Sequence, residues 1–488
     1  ADALGARAEP FFLEVTYSRE TLQPLVNVSV GGQPLQLVFD VSSGNTIVFV
    51  NEFDACSPAG FSPCYSFEEA EHRQSLKVCA ESNEEPNECD MRYRSRYECT
   101  SFLKSLRVAK SFADALIIDG IEYDQKAVEA RDDVSVTLQG GEGERTASWP
   151  DMPIRLLVAP MRVPVPVPWL SLELFRGVSG ILGASGPTLS CRNQTVWSSL
   201  LQSRNVSRFI IDFSPPPNAT IQDDSVGRVV LDDIDPAYER DIVWSQPKQT
   251  GDLTNDGMHE FLMYHLSTCG VDLLFNTSSV WLTVIDTSGP CLTLPGFLFD
   301  RFMAHIPVTC PFPVGRKSWG RLCSPRRDGG NDPLPALSFQ LEDISDRPAP
   351  KLHLPLERLV YKNASGAELL CVARDDSDSK RSPADMMYSH VAFGSLAIAS
   401  FYTVVDLERH RIGLASKGNL PKEASDARCS KAPECIGMQE LFPPMNLCED
   451  PDCSQYMFMS LDPDTKVCRW MRMVPVGFGL LLIGLVVL

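Results

Sequence analysis

The sequence predicts a mainly β chain built as two repeated halves, and three observations carry that prediction. Short apolar strands with little helical period fill both halves. Each half runs one apolar strand into an aspartate that turns on small residues. These are Leu37-Val38-Phe39-Asp40-Val41-Ser42-Ser43-Gly44-Asn45 and Val284-Ile285-Asp286-Thr287-Ser288-Gly289. The third observation is that cysteines concentrate in two polar blocks outside those strands. One aspartate turn per half suits a hydrolase working with two carboxylates. Like charges held close together cannot both ionise, so one carboxyl keeps its proton as acid while the other activates water as base.

Taken in order, residues 11–50 read as short strands broken by Gly31-Gly32. Residues 51–100 are polar and acidic and hold Cys56, Cys64, Cys79, Cys89 and Cys99, which reads as a disulfide-stapled insertion. Strands resume near Leu106, at 115–118 and at 134–138, and the proline-studded run 160–168 predicts an extended crossing. After Gly180-Ile181-Leu182-Gly183 a helix is expected over 195–202, and Pro215-Pro216-Pro217 makes a hinge. The N-terminal lobe is therefore placed at 1–214 and the C-terminal lobe at 215–418. The second half repeats the plan with strands from Val229, the Asp286 turn, a helix near 295–304, and strands ending at Ile412. Residues 419–470 form a Cys-rich stalk with Cys429, Cys435, Cys448, Cys453 and Cys468. Five is odd, so at least one pairs outside the block or stays free.

Charge and composition narrow the function. With 44 basic and 63 acidic residues among 488, the net charge of -19 argues against a nucleic-acid partner and suits an ectodomain working at low pH. Sixteen cysteines and six glycosylation sequons, at Asn27, Asn193, Asn205, Asn218, Asn276 and Asn363, point to the secretory pathway. Opening at Ala1 reads as a processed N-terminus. Residues 473–488 are uncharged and apolar, preceded by Arg469, Trp470 and Arg472, so 471–488 is expected to attach to a membrane. At sixteen residues the run is shorter than the ~20 of a full span. It is either the start of a transmembrane helix or a tail exchanged for a lipid anchor. The protein would then sit at the cell surface or on an endomembrane, its folded part lumenal or extracellular.

Other chemistries find no footing. The seven histidines are scattered, and the sequence holds no Gly-x-Ser-x-Gly elbow, glycine-rich phosphate loop or His-Glu-x-x-His helix. The cysteines do not pair as short zinc knuckles, so no metal and no cofactor are expected. The run Asp375-Asp376-Ser377-Asp378 reads as a solvated loop.

Over residues 11–416 the chain resembles the pepsin-like aspartic proteases. Residues 35–45 look like that family's first active-site motif and Val284 to Gly289 like its second. Gly180-Ile181-Leu182-Gly183 and Ala392-Phe393-Gly394 resemble the strings that thread behind each aspartate. Gly227-Arg228-Val229-Val230-Leu231 with Asp235-Pro236-Ala237-Tyr238 is similar to the interlobe segment, and 401–406 with 411–415 to the closing strands. The resemblance implies a bilobal fold with pseudo-twofold related lobes and an extended peptide or protein substrate in the cleft between them. It implies Asp40 and Asp286 as the catalytic pair, with support from Ser42, Ser43, Thr287 and Ser288. The insertion and the tail further resemble nepenthesin-like and membrane-anchored branches. Cys323 and Cys371, flanking 334–339, match the second-lobe disulfide of many relatives.

Departures from the family pattern fall near the chemistry. Val41 stands where a hydroxyl would tie the two turns, a hydrogen bond worth ~1 kcal/mol. Ser42 and Ser288 replace glycines, predicting backbone strain or a new bond to the aspartates. Gly289 loses the second lobe's counterpart of Ser43. The flap aligns with 107–114, placing Arg107, Ser111 and Phe112 over the dyad, with Arg107 in the place of a tyrosine. A cation there would hold both aspartates ionised. Two functions follow: an aspartic endopeptidase, or a catalytically inactive ectodomain that binds a protein partner as adhesion molecule or scaffold.

Overall fold

The computed structural model of the chain describes residues 10–18, 22–49, 64–66, 77–78, 127–140, 143–157, 178–187, 194–213, 227–247, 259–274, 280–310, 323–326, 333–342, 349–362, 366–375, 390–417, 429–455 and 459–470. Outside these lie Arg107, Ser111, Phe112, Asn193, Asn218, Asn276, Asn363, the prolines at 160–168 and 215–217, the segment 471–488 and most of the 51–100 insertion.

Strand Gln33–Asp40 begins with alternating burial and ends with Leu37, Val38, Phe39 and Asp40 all buried. A strand apolar on both faces needs neighbours along both edges. It finds them in Pro24–Val30, antiparallel, and Gly180–Gly183, parallel, with Asp40 opposite Gly183. The second half repeats the arrangement. Val280–Ile285 lies antiparallel to Glu260–Thr268 and parallel to Val391–Phe393, with Ile285 opposite Phe393.

The described strands form two large sheets. One runs from the first half through Gln33–Asp40 and Phe12–Tyr17 into six antiparallel strands drawn from both halves. In order those six are Phe12–Tyr17, Gly227–Leu231, Arg208–Asp212, Phe401–Asp406, Arg411–Ser416 and Val243–Trp244. The other sheet belongs to the second half and contains Val280–Ile285. The last strand reaches Ser416, past the expected end at Ile412, because the ladder with Phe401–Asp406 continues to Phe401 opposite Ser416. The Asp235–Tyr238 segment packs on this shared sheet: Tyr238 stacks on Tyr402 at 4.4 Å, and Asp235 N donates to the Tyr402 hydroxyl. Lys417, just past the last strand, donates to Asp212 Oδ1 at 2.7 Å and to the Phe213 carbonyl.

Among the described residues the two longer helices flank the cores. Val196–Ser203 starts at a capping box, in which the Thr195 hydroxyl accepts from Ser198 N and the Ser198 hydroxyl from Thr195 N. Its Trp197 sits edge-on against Phe39 and Phe209, each at 5.2 Å, which ties the first aspartate strand to the shared sheet. Gly296–His305 follows the second aspartate turn and buries Leu298, Phe299 and Phe302. Phe393 meets Phe261, Phe339 and Phe401, so one contiguous core joins the second sheet to the shared one.

The disulfides correct one expectation: Cys323 and Cys371 are not bonded to each other. Leu292 lies opposite Val372 in a parallel pair, so the residues just before them, Cys291 and Cys371, stand side by side and bond, 4.6 Å apart at Cα. Thr309 lies opposite Ser324 in an antiparallel pair, which brings Cys310 and Cys323 face to face, 4.3 Å apart at Cα. The odd cysteine of the C-terminal block, Cys429, reaches back to Cys269, while Cys435–Cys448 and Cys453–Cys468 close within the block. That block docks on the second half. Ser430 N donates to the His305 carbonyl and Asn446 Nδ2 to the Ala304 carbonyl, both at the end of helix Gly296–His305. The five disulfides among the described residues mark an extracellular or secretory-pathway protein. Among the described residues no helix is long and apolar enough to cross a membrane.

Peptide mapping of the unreduced protein should join Cys291 to Cys371 and Cys310 to Cys323, and a Cys323–Cys371 peptide would contradict this pairing. Replacing Cys291 and Cys371 together by alanine should lower stability by about 2–5 kcal/mol in chemical denaturation.

Candidate active site

Both aspartates leave their strands at the point where a neighbouring strand ends, so their side chains are placed by backbone pairing. Ala184 N donates to the Asp40 carbonyl at 2.7 Å, and Asp286 N to the Phe393 carbonyl at 3.0 Å. Three residues beyond each aspartate the halves match again: Ser43 O accepts from Ser185 N, and Gly289 O from Ser395 N. The carboxyl groups themselves are buried, Asp40 at 2% exposure and Asp286 at 3%.

Ser42 and Ser288 turn back on the aspartates. Ser42 donates to Asp40 Oδ1 through its backbone N at 2.8 Å and its hydroxyl at 2.7 Å. Ser288 does the same to Asp286 Oδ1, at 3.1 and 2.7 Å, and Gly289 N adds a contact at 3.3 Å. Neither serine lies in the left-handed region, so the added Cβ brings a hydrogen bond without backbone strain. The Ser42 hydroxyl also lies 3.4 Å from Asp286 Oδ1. One oxygen thus sits within reach of both carboxyl groups, which places them close enough for one water to bridge. The Ser43 hydroxyl accepts from Asn45 N instead, and its backbone N–H serves Asp40.

The turns are tied from one side. The Thr287 hydroxyl accepts from Val41 N at 3.1 Å and donates to the Phe39 carbonyl at 2.6 Å. Val41 offers no hydroxyl in return. Three further residues cross between the halves: Gln23 Nε2 donates to the Ser288 carbonyl at 2.6 Å, the Ser395 hydroxyl to the Leu22 carbonyl at 2.9 Å, and His259 Nε2 meets the Ala184 carbonyl at 3.3 Å. Sequence reasoning missed these roles for Gln23, His259 and Ser395. Their signal was positional: Gln23 and His259 each precede the strand beside an aspartate strand, and Ser395 follows Gly394.

Burial sets the electrostatics. It pushes the Asp40 carboxyl up to about 7, helped by the negative charge of Asp286 and opposed by the bonds from Ser42 and Ser43. Burial also raises Asp286, against the bonds from Ser288, Gly289 and Ser42. Both carboxyls are thus held toward their protonated forms, and as neighbours they lose their protons as a pair. Among the described residues no cluster of three or more His, Cys, Asp or Glu could hold a metal ion. Of the six sequons, Asn27 and Asn205 are described, and both are exposed.

No family model matches the chain, and no curated protein matches it in sequence. In structure 400 solved chains match. One is a crystal structure of basic 7S globulin from soybean, with a TM-score of 0.50 and 13% identity over 84% of this chain and 95% of that one. The fold is pepsin-like. In a pepsin-like fold built this way, two constraints can be measured directly. Thr287→Val keeps the side chain's shape but strips Val41 N–H of its acceptor and the Phe39 carbonyl of a donor. It should cost about 1–3 kcal/mol in urea unfolding. The second concerns pH. A carboxyl raised in the folded state stabilises the fold below its unfolded value of ~4, and this contribution is lost as pH rises through the folded value. Asp40→Asn removes the titrating group, so its melting temperature relative to the parent protein should climb steadily from pH 4 to about 7. A pH-independent difference would show that Asp40 is not raised.

Proposed function

We propose that this chain is a membrane-anchored aspartic endopeptidase of nepenthesin-like type, with Asp40 and Asp286 as its catalytic pair. The observation that carries the reading is the pair of buried carboxyls meeting across the two halves, both within reach of the Ser42 hydroxyl. Two like charges so close favour a state with one shared proton. The ionised carboxyl of the pair takes a proton from water as the water oxygen bonds to the scissile carbonyl carbon, and the protonated one gives its proton to the carbonyl oxygen. The C–N bond then breaks as the first carboxyl passes its proton to the leaving nitrogen and the second takes one back from the gem-diol hydroxyl. An extended peptide or protein substrate occupies the cleft between the lobes. Thr287, Ser42, Ser43 and Ser288 hold the geometry, and Arg107, Ser111 and Phe112 belong to the flap. Residues 471–488 attach the enzyme to a membrane, with the folded part lumenal or extracellular and glycans at the sequons.

A second reading has a specific observation in its favour. The Ser42 and Ser288 hydroxyls both bond to the carboxyls, and Val41 leaves the turns tied from one side. A protein closed in this way would be a binding, adhesion or scaffold ectodomain.

An acid-pH peptide library separates the two. The endopeptidase should cleave it with an acidic optimum, lose cleavage in Asp40→Asn and Asp286→Asn, and be blocked by a statine-type transition-state analogue. A folded protein that cleaves nothing at any pH would overturn the enzyme reading.

A further inference from the structure

Ser42 is completely buried, and its hydroxyl is the one described side-chain group that contacts both carboxyls, at 2.7 Å from Asp40 Oδ1 and 3.4 Å from Asp286 Oδ1. The hydroxyl of its counterpart, Ser288, donates to Asp286 alone, at 2.7 Å. The two serines are therefore not equivalent: one supports its own aspartate, and the other spans the pair.

We propose that Ser42 is a positioning residue whose hydroxyl spans the two carboxyls and stabilises the pair when it carries a single proton. This rests on the reading of Asp40 and Asp286 as the working pair. A hydroxyl has one hydrogen to donate. With both carboxyls protonated there is no anion to receive it. With one ionised, it makes a charge-assisted bond to that anion. With both ionised, it still serves only one. The hydroxyl therefore favours loss of the first proton and does little for the second, extending the singly protonated range toward acid pH.

The surroundings leave this role to Ser42. From the first aspartate turn, Ser42 and Ser43 face Asp40; from the second, Ser288 and Gly289 face Asp286. From the neighbouring strand ends come the Ala184 and Phe393 backbones, with the His259 ring against the Ala184 carbonyl. Among the described residues no lysine or arginine contributes to either carboxyl.

The test isolates one carboxyl. In Asp40→Asn protein, the Asp286 side chain is followed by carbon-13 carboxyl NMR across pH. Adding Ser42→Ala should raise its midpoint by about one pH unit, the size of one lost charge-assisted bond. Ser42→Thr, which keeps the hydroxyl, should leave it in place. Ser42→Gly serves where the alanine variant does not fold. A midpoint unmoved by loss of the hydroxyl would overturn the proposal. In the cleaving enzyme, Ser42→Ala should also shift the acid limb of the kcat/KM profile upward by a similar amount and move the basic limb less, and equal shifts of both limbs would overturn it. A protein that cleaves nothing would sink the enzyme reading, while the NMR titration would still decide the role of Ser42.

Discussion

The burial of two carboxyl groups against each other is the constraint around which this fold is arranged. Removing one carboxylate from water is costly, and a second beside it adds repulsion. The chain offsets this locally. Each aspartate leaves its strand where the backbone turns back, so N–H groups and a serine hydroxyl from the next residues converge on its oxygen. The strand threaded behind each turn then fixes the turn itself. A Cβ at Gly183 would fall 2.5 Å from the Asn45 carbonyl oxygen, and one at Gly394 2.3 Å from that of Cys291. Asn45 and Cys291 occupy matching places, five residues beyond each aspartate. Only glycine permits an approach that close.

The two halves repeat this plan but are not equal. The second supplies the hydroxyl that ties the turns, and the first supplies the hydroxyl that reaches both carboxyls. With Val41 contributing only its N–H, the bonds from Gln23, Ser395 and His259 share the work of holding the halves in register. His259 shows how a polar residue earns a buried place: its ring packs edge-on to Phe209 at 5.4 Å while a nitrogen meets a carbonyl of the other half.

Much of this was legible in the residues. Apolar runs ending in aspartate marked the two central strands, the helix expected over 195–202 forms at Val196–Ser203, and Gly180–Gly183 and Ala392–Gly394 were legible as the strings behind each aspartate. The disulfide pairing was not legible, because it follows from strand register. Four cysteines converge on the same end of the second half, and which two meet depends on Thr309 standing opposite Ser324 and Leu292 opposite Val372. The reach of Ser42 to the far carboxyl was equally hidden. Sequence places Ser42 next to its own aspartate, and only the closure of the halves brings Asp286 within 3.4 Å.

The shared six-stranded sheet has a consequence in time. Strand Arg208–Asp212 needs Gly227–Leu231 on one side and Phe401–Asp406 on the other, and the latter is made nearly two hundred residues later. At ordinary rates of synthesis that gap lasts about 10–40 s. Throughout it, one edge of Arg208–Asp212 waits unpaired beside a first half that is otherwise ready to fold. Open strand edges of this kind recruit the wrong partners. The nascent chain is therefore most vulnerable to misassembly in the middle of its own translation, and its yield should depend on what shields that edge until the closing strands arrive.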